Sequence, residues 1–214
     1  MQNRAKLFNL KLFPMDMGRI VCSVLLPIYR MKRITPTGER YKKILRGGAV
    51  IAANHTSFSD PFLVGVTFWY RRMFFLIAEA VMQGKLRIAL LKGMGGIKID
   101  RNSADIEAIR KSVDVLKSGH LLSIFPQGGI NPDENINTIK SGAVLIALQA
   151  GVPIIPLYIR PKKKWYNRRC AVIGDAIVPN EICKKKFPST SDINEITARL
   201  MCAMQKCAEG EEKQ

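Results

Sequence analysis

The run Ala49-Val50-Ile51-Ala52-Ala53-Asn54-His55-Thr56-Ser57-Phe58-Ser59-Asp60-Pro61-Phe62 decides the fold of this chain. Its first five residues are apolar and read as a buried strand. From Phe62 to Trp69 the chain is apolar again and reads as a helix. A short polar loop joins the two. Asp60 with Pro61 behind it has the form of an N-cap followed by proline at the first helical position. His55 therefore stands where a strand ends, and Asp60 where a helix begins. Loops carried by rigid elements are common seats of binding and catalytic groups.

A histidine and an aspartate held close can do one job well. The carboxylate accepts a hydrogen bond from one ring nitrogen, which fixes the tautomer and stabilises an imidazolium. The other nitrogen is then a general base near neutral pH. Both residues also have plain structural readings, Asp60 as a helix cap and His55 as a donor to a loop carbonyl. The rest of the chain has to decide between them.

Beyond the loop, strands and helices alternate. Met73 to Ala78 reads as a strand, Lys85 to Leu91 as a short helix, and Gly96 to Arg101 as a short strand running into a charged turn. Ser103 to Lys117 reads as a helix, with Ser103 as its cap and Ile106, Ile109, Val113 and Leu116 on one face. Leu121 to Phe125 is a buried strand that ends in the turn Pro126-Gln127-Gly128-Gly129. Lys140 to Ala150 is a helix closed by Gly151. Val152 to Ile159 and Cys170 to Ile173 read as strands, and Ile193 to Cys207 as a closing helix before a polar tail. This order predicts an α/β fold with a central sheet covered by helices. His120 opens a strand without an acidic neighbour and reads as structural.

The chain has 214 residues, 47% of them hydrophobic, enough for one domain with a sizeable core. Lys and Arg number 34 against 17 Asp and Glu, a net charge of +17 that favours anionic partners. Nucleic acid would suit such a charge, but no recognition motif for it is present. The five cysteines form no C-x-x-C pair and there are only two histidines, so no metal site is readable. An odd number of scattered cysteines fits a reducing compartment.

The basic residues crowd the N-terminal region, where eleven Lys and Arg up to Arg46 face only Asp16 and Glu39. Inside it lies the apolar stretch Ile20 to Tyr29, shorter than the roughly 20 residues that span a bilayer. Met17, Ile20, Val21, Val24, Leu25 and Ile28 share one helical face. A basic-flanked helix of this kind suits the plane of a membrane interface, and it also suits docking onto the core. No small-residue cleavage site follows it, which argues against a secretory signal. Trp165 and Tyr166, within the basic stretch Arg160 to Arg169, suit a headgroup layer or an ordinary solvated loop.

Four stretches together resemble one family. His55-x4-Asp60 resembles the H-x-x-x-x-D signature of glycerolipid acyltransferases, in particular the 1-acylglycerol-3-phosphate acyltransferases. Gly96 to Arg101 is similar to the family's second block, a glycine-led strand ending in Asp-Arg. Phe125-Pro126-Gln127-Gly128 resembles the third, usually Phe-Pro-Glu-Gly-Thr-Arg. Ile139 to Ala143, followed by Gly151 to Pro156, resembles the stretch that leads into and includes the fourth. The resemblance covers about residues 48 to 160.

The resemblance implies a glycerol-3-phosphate acyltransferase-like fold around a mixed sheet. It implies His55 as general base and Asp60 as its orienting partner. The acyl donor would be acyl-CoA or acyl carrier protein, as a substrate and with no resident cofactor. The acceptor would be a lysophospholipid. Arg101 is expected to pair with the acceptor phosphate, where a guanidinium fork suits a bidentate contact. Lys140, in the first turn of a helix, is a second cation for an anion. Gln127, Gly128 and Gly129 form the turn that lets the backbone approach substrate. The third block departs from the pattern. Gln127 replaces Glu, Gly129 replaces Thr and Ile130 replaces Arg, so one expected cation is missing and Lys98 is the nearest substitute.

The expected organisation is a basic amphipathic membrane-binding segment over residues 1–35 and an acyltransferase domain over 36–214. The expected location is the cytoplasmic face of a cell membrane, with an anionic surface as partner. Two alternatives stay open. The acceptor could be another lysolipid, such as an amino-acid-linked one, or the chain could be a catalytically weak lipid-binding relative.

Overall fold

The computed structural model describes residues 13–29, 31–38, 46–100, 105–131, 136–160, 170–185 and 188–210. Arg101, Ser103, Trp165, Tyr166 and the polar tail lie outside these residues, as do the side chains of Leu25 and Ile28. Seven strands form one sheet: β1 (Lys32–Ile34), β2 (Ala49–Ala53), β3 (Met73–Ala78), β4 (Gly96–Ile99), β5 (Leu121–Ile124), β6 (Ile154–Ile159) and β7 (Cys170–Ile173). Their spatial order is β1-β7-β6-β2-β5-β3-β4. Strands β2 to β6 run parallel, while β7 is antiparallel to β6 and β1 follows β7. The sheet is therefore mixed, as expected.

Among the described residues seven helices accompany it: α1 (Phe13–Tyr29), α2 (Asp60–Thr67), α3 (Lys85–Gly93), α4 (Ile106–Lys117), α5 (Gly142–Ala150), α6 (Pro179–Ile182) and α7 (Thr190–Glu209). A 3-10 turn, Glu79–Val81, precedes α3. Side chains alternate along a strand, so the central strands feed two cores. Val50, Ala52, Leu122 and Ile154 face α4, α5 and α7 on one side. Ile51, Ala53, Leu121 and Ile155 face α2 on the other. Both faces of β2, β5 and β6 are covered, which is why these strands read as unbroken apolar runs.

Local signals differ from the expectation at four places. Asp60 is not the N-cap of α2. Ser59 holds that position and Asp60 is the first helical residue, which frees its carboxylate to turn back toward the loop. The cap of α4 is Asp105, whose side chain accepts from Ala108 N. Ile109, Val113 and Leu116 pack on the core as expected, with Ala108 and Ser112 buried beside them, while Ile106 in the first turn points to solvent. The helix α5 begins at Gly142 after Ser141, so Lys140 precedes the helix and is not in its first turn. The last helix starts three residues before Ile193, because Ser189 and Asp192 close a capping box.

The N-terminal helix is tied to the domain by its charges. Arg72 donates from Nε to Asp16 Oδ1 (2.9 Å) and from Nη2 to Oδ2 (2.7 Å). Arg19 donates to the carbonyls of Trp69 (3.1 Å) and Tyr70 (3.2 Å). Met15 is buried against this side, whereas Phe13, Met17, Ile20, Val21 and Val24 are exposed. No helix among the described residues is long and apolar enough to cross a membrane.

Candidate active site

Strand β2 delivers His55 to the carboxyl end of the parallel sheet, where open α/β sheets place their ligands. The strand ends because Asn54 takes over its pairing. This buried side chain accepts from Ile159 N (2.7 Å) and donates to Ile159 O (3.1 Å), extending the β2–β6 ladder by one step. An unpaired buried amide would be costly, so the two bonds fix the backbone just ahead of His55.

His55 is then held from four sides. Its N–H donates to Gln127 Oε1 (3.0 Å), and its carbonyl accepts from Asn131 N (2.7 Å). Its ring stacks on Phe125 with centroids 4.2 Å apart. Its Nδ1 meets Asp60 Oδ2 at 3.2 Å. That same oxygen accepts from the backbone of Thr56 and Ser57, each at 2.7 Å. The Asp60 side chain is only 3% exposed, so these N–H donors replace water around its charge. The carboxylate is thus fixed before it fixes the ring. Among the described residues Nε2 has no hydrogen-bond partner.

The third block closes one side of this loop. Gly128 has φ +79°, a conformation that glycine adopts without strain. It also lies under Lys140: a Cβ built there would sit 3.0 Å from Lys140 Cε and 3.3 Å from Nζ. Lys140 N donates to Pro126 O (2.8 Å), which ties the start of the fourth-block region to this turn. The structure therefore brings His55, Asp60, Gln127, Gly128 and Lys140 together, with Gly129 next in the turn. Lys98 is elsewhere. It sits on β4, three strand spacings from β2 or about 14 Å, and its ammonium is paired with Glu79 at 2.6 Å.

A family model described as Acyltransferase matches residues 33–160. The chain belongs to that family. The matched span runs from β1 through β6 and contains the whole His55 loop. A Bacillus subtilis protein named 1-acyl-sn-glycerol-3-phosphate acyltransferase is 28% identical over 109 residues, 51% of this chain and 54% of that one. A Borreliella burgdorferi protein of the same name is 28% identical over 147 residues, 66% of this chain and 56% of that one. The chain spans about half the length of these curated relatives. The crystal structure of a 1-acyl-sn-glycerophosphate acyltransferase from Thermotoga maritima superposes with a TM-score of 0.60. That match covers 91% of this chain and 78% of that one at 19% identity, and it establishes the shared fold.

Two positioning groups and one exposed aromatic escaped the sequence reading. Asn54 looked like the first residue of a loop; its signal was an amide directly after five apolar residues. Phe125 looked like the end of a strand, and nothing in the pattern announced its stacking on His55. Phe58, 86% exposed on the same loop, passed as a spacer within the H-x4-D run.

Proposed function

We propose that this chain is an O-acyltransferase that moves a fatty acyl group from a thioester donor to the free hydroxyl of a lysophospholipid. The favoured acceptor is 1-acyl-sn-glycerol-3-phosphate, which would give phosphatidic acid. The donor is acyl-CoA or acyl carrier protein. The observation that carries this reading is the His55 Nδ1–Asp60 Oδ2 contact of 3.2 Å, with Asp60 itself anchored by two backbone N–H groups.

The chemistry needs no protein nucleophile. His55 Nε2 takes the proton of the acceptor hydroxyl as its oxygen attacks the thioester carbonyl. Asp60 stabilises the imidazolium that forms. The tetrahedral intermediate collapses, expels the thiolate and leaves the new ester. The imidazolium returns its proton to sulfur, so the base is regenerated. Backbone N–H groups around the glycine turn are suited to the transient oxyanion.

The test is donor thioester consumption against a panel of lysolipid acceptors. His55→Ala should lower kcat by about 10²–10⁴ while the thermal midpoint stays with the parent. Full turnover by the folded variant would refute the mechanism.

Arg101 is proposed to read the acceptor phosphate. Arg101→Ala should cut kcat/KM for lysophosphatidate by about tenfold or more and spare a zwitterionic lysolipid. Equal loss on both acceptors removes Arg101 from the headgroup site. A second reading follows from Gln127, Gly129 and Ile130, which lack the cation of the family's third block. It assigns a less negatively charged acceptor, and lysophosphatidate would then be the poorer substrate in the parent.

A further inference from the structure

The helix α3 has no buried residue. Its apolar residues divide: Ile88 and Leu91 are half-buried, while Leu86 and Leu90 stand out to solvent. Leu86 is 86% exposed and Leu90 62% exposed, with Met94 and Val81 exposed at its two ends. At about 100° per residue, Leu86 and Leu90 form the crest of the helix. Arg87 stands about 80° from that crest on one side, while Lys85 and Lys92 lie about 120–140° round on the other, and all three are exposed. The helix carries no acidic residue, and the nearby Glu79 is neutralised by Lys98.

This patch continues that of α1. A Cβ built at Gly93, the last residue of α3, would lie 3.6 Å from Pro14 in the first turn of α1. A Cβ at Gly95 would strike the methyl group of Met15. The exposed rows of the two helices therefore join at one corner of the molecule. The patch also reaches the active-site end. Val81 follows the carboxyl end of β3, and β3 runs parallel to β5 and so to β2, which delivers His55. Phe58 stands exposed on the His55 loop at that same end.

We propose that α3 is a second membrane-docking element, which together with α1 seats the chain on an anionic bilayer surface. Leucines on the crest enter the acyl boundary, and the exposed cations meet the lipid phosphates. An isolated exposed leucine is ordinary, but two leucines one turn apart on an exposed crest, on a helix with three exposed cations and no acidic residue, match an anionic lipid surface in chemistry. The inference rests on the proposed lysophospholipid acceptor only for its purpose: it would hold the His55 loop beside the layer from which such an acceptor comes.

The experiment is sedimentation of the full chain with vesicles of equal parts phosphatidylcholine and phosphatidylglycerol, with no donor or acceptor present. The double variant Leu86→Ser/Leu90→Ser should lower the partition constant by about tenfold or more, with an unchanged thermal midpoint. In an otherwise intact chain, Leu86→Trp should add an emission component that shifts to the blue when vesicles are added. Unchanged partition of the double variant overturns the proposal, and so does a Leu86→Trp emission that vesicles do not move. A lipid-free dimer that the double variant dissolves, with partition unchanged, would assign the patch to a second copy of the chain and also overturn it. Because binding is read without substrates, a chain that docks through α3 yet transfers no acyl group keeps this inference and loses the proposed function.

Discussion

Helices α7 and α1 carry the same kind of pattern and use it in opposite directions. In α7, Ile196, Leu200, Met204 and Cys207 recur at helical spacing and are fully buried against the sheet. Its charges face solvent, as in the Glu195–Arg199 pair one turn apart. In α1 the row Met17, Ile20, Val21 and Val24 faces out, and Asp16 and Arg19 face in. The cause is what each helix finds beneath it. Under α7 lie bare strand faces of β6 and β7. Under α1 lies α2, whose Leu63, Val64 and Val66 already cover that side of the sheet, and beyond it the carbonyls of Trp69 and Tyr70 that accept from Arg19. A polar surface takes the charged face. Amphipathic pattern therefore predicts a helix, while the direction of its apolar face depends on the surface beneath it.

The contrast can be broken by one pair of experiments. Leu200→Ala in α7 should cost about 2–5 kcal/mol of stability, read by urea unfolding, and leave vesicle binding alone in whatever protein remains folded. Val21→Ser with Val24→Ser in α1 should shift stability by no more than about 0.5 kcal/mol per site. That double variant should nevertheless lower partition onto anionic vesicles by about tenfold. If the valine pair destabilises the chain as Leu200→Ala does, its row is packed against protein and the two helices are alike after all.

Much of the fold was legible because it rests on local signals. The apolar runs at Val50, Leu122 and Ile155 are strands buried on both faces, and no other element gives so short an unbroken run between turns. Spacing of the four blocks then identified the family, which the match over residues 33–160 bears out. What stayed hidden depends on pairing over distance. Strand β1 is three residues in a basic stretch, Lys32-Arg33-Ile34, and exists because β7 offers it a register. The strand order, with β5 inserted between β2 and β3, is likewise a product of crossovers that no local window contains. At the site, the His55–Asp60 pairing was visible from spacing, but the cap assignment of Asp60 was not right. A carboxylate that caps its own helix and one that turns back to Thr56 and Ser57 have the same sequence. Lys140 came to the third-block turn through its backbone bond to Pro126 and a side chain lying close over Gly128, neither of which a local pattern announces.

The smaller prediction concerns the clamp that turns α1 inside out. The bonds from Arg72 hold the Asp16 carboxyl below its ordinary pKa of 3.8, with Arg19 adding to them and partial burial opposing. A depressed folded-state pKa means that the charged form is what the fold stabilises. The contribution is fully present above the unfolded value and is lost as pH falls through the lowered folded value. Asp16→Asn keeps the size of the side chain and removes the charge. It should cost about 1–3 kcal/mol at neutral pH, the range for hydrogen bonds to a charged group, read by urea unfolding. The gap between parent and variant should hold constant down to about pH 5 and close as Asp16 is protonated in the folded parent. The Arg72 guanidinium, raised further by its bonds to Asp16, keeps its charge throughout this window and cannot produce that closing. A gap that stays the same from neutral to acid pH would mean that Asp16 acts through packing alone. The inward charged face of α1 would then not be a clamp in its own right.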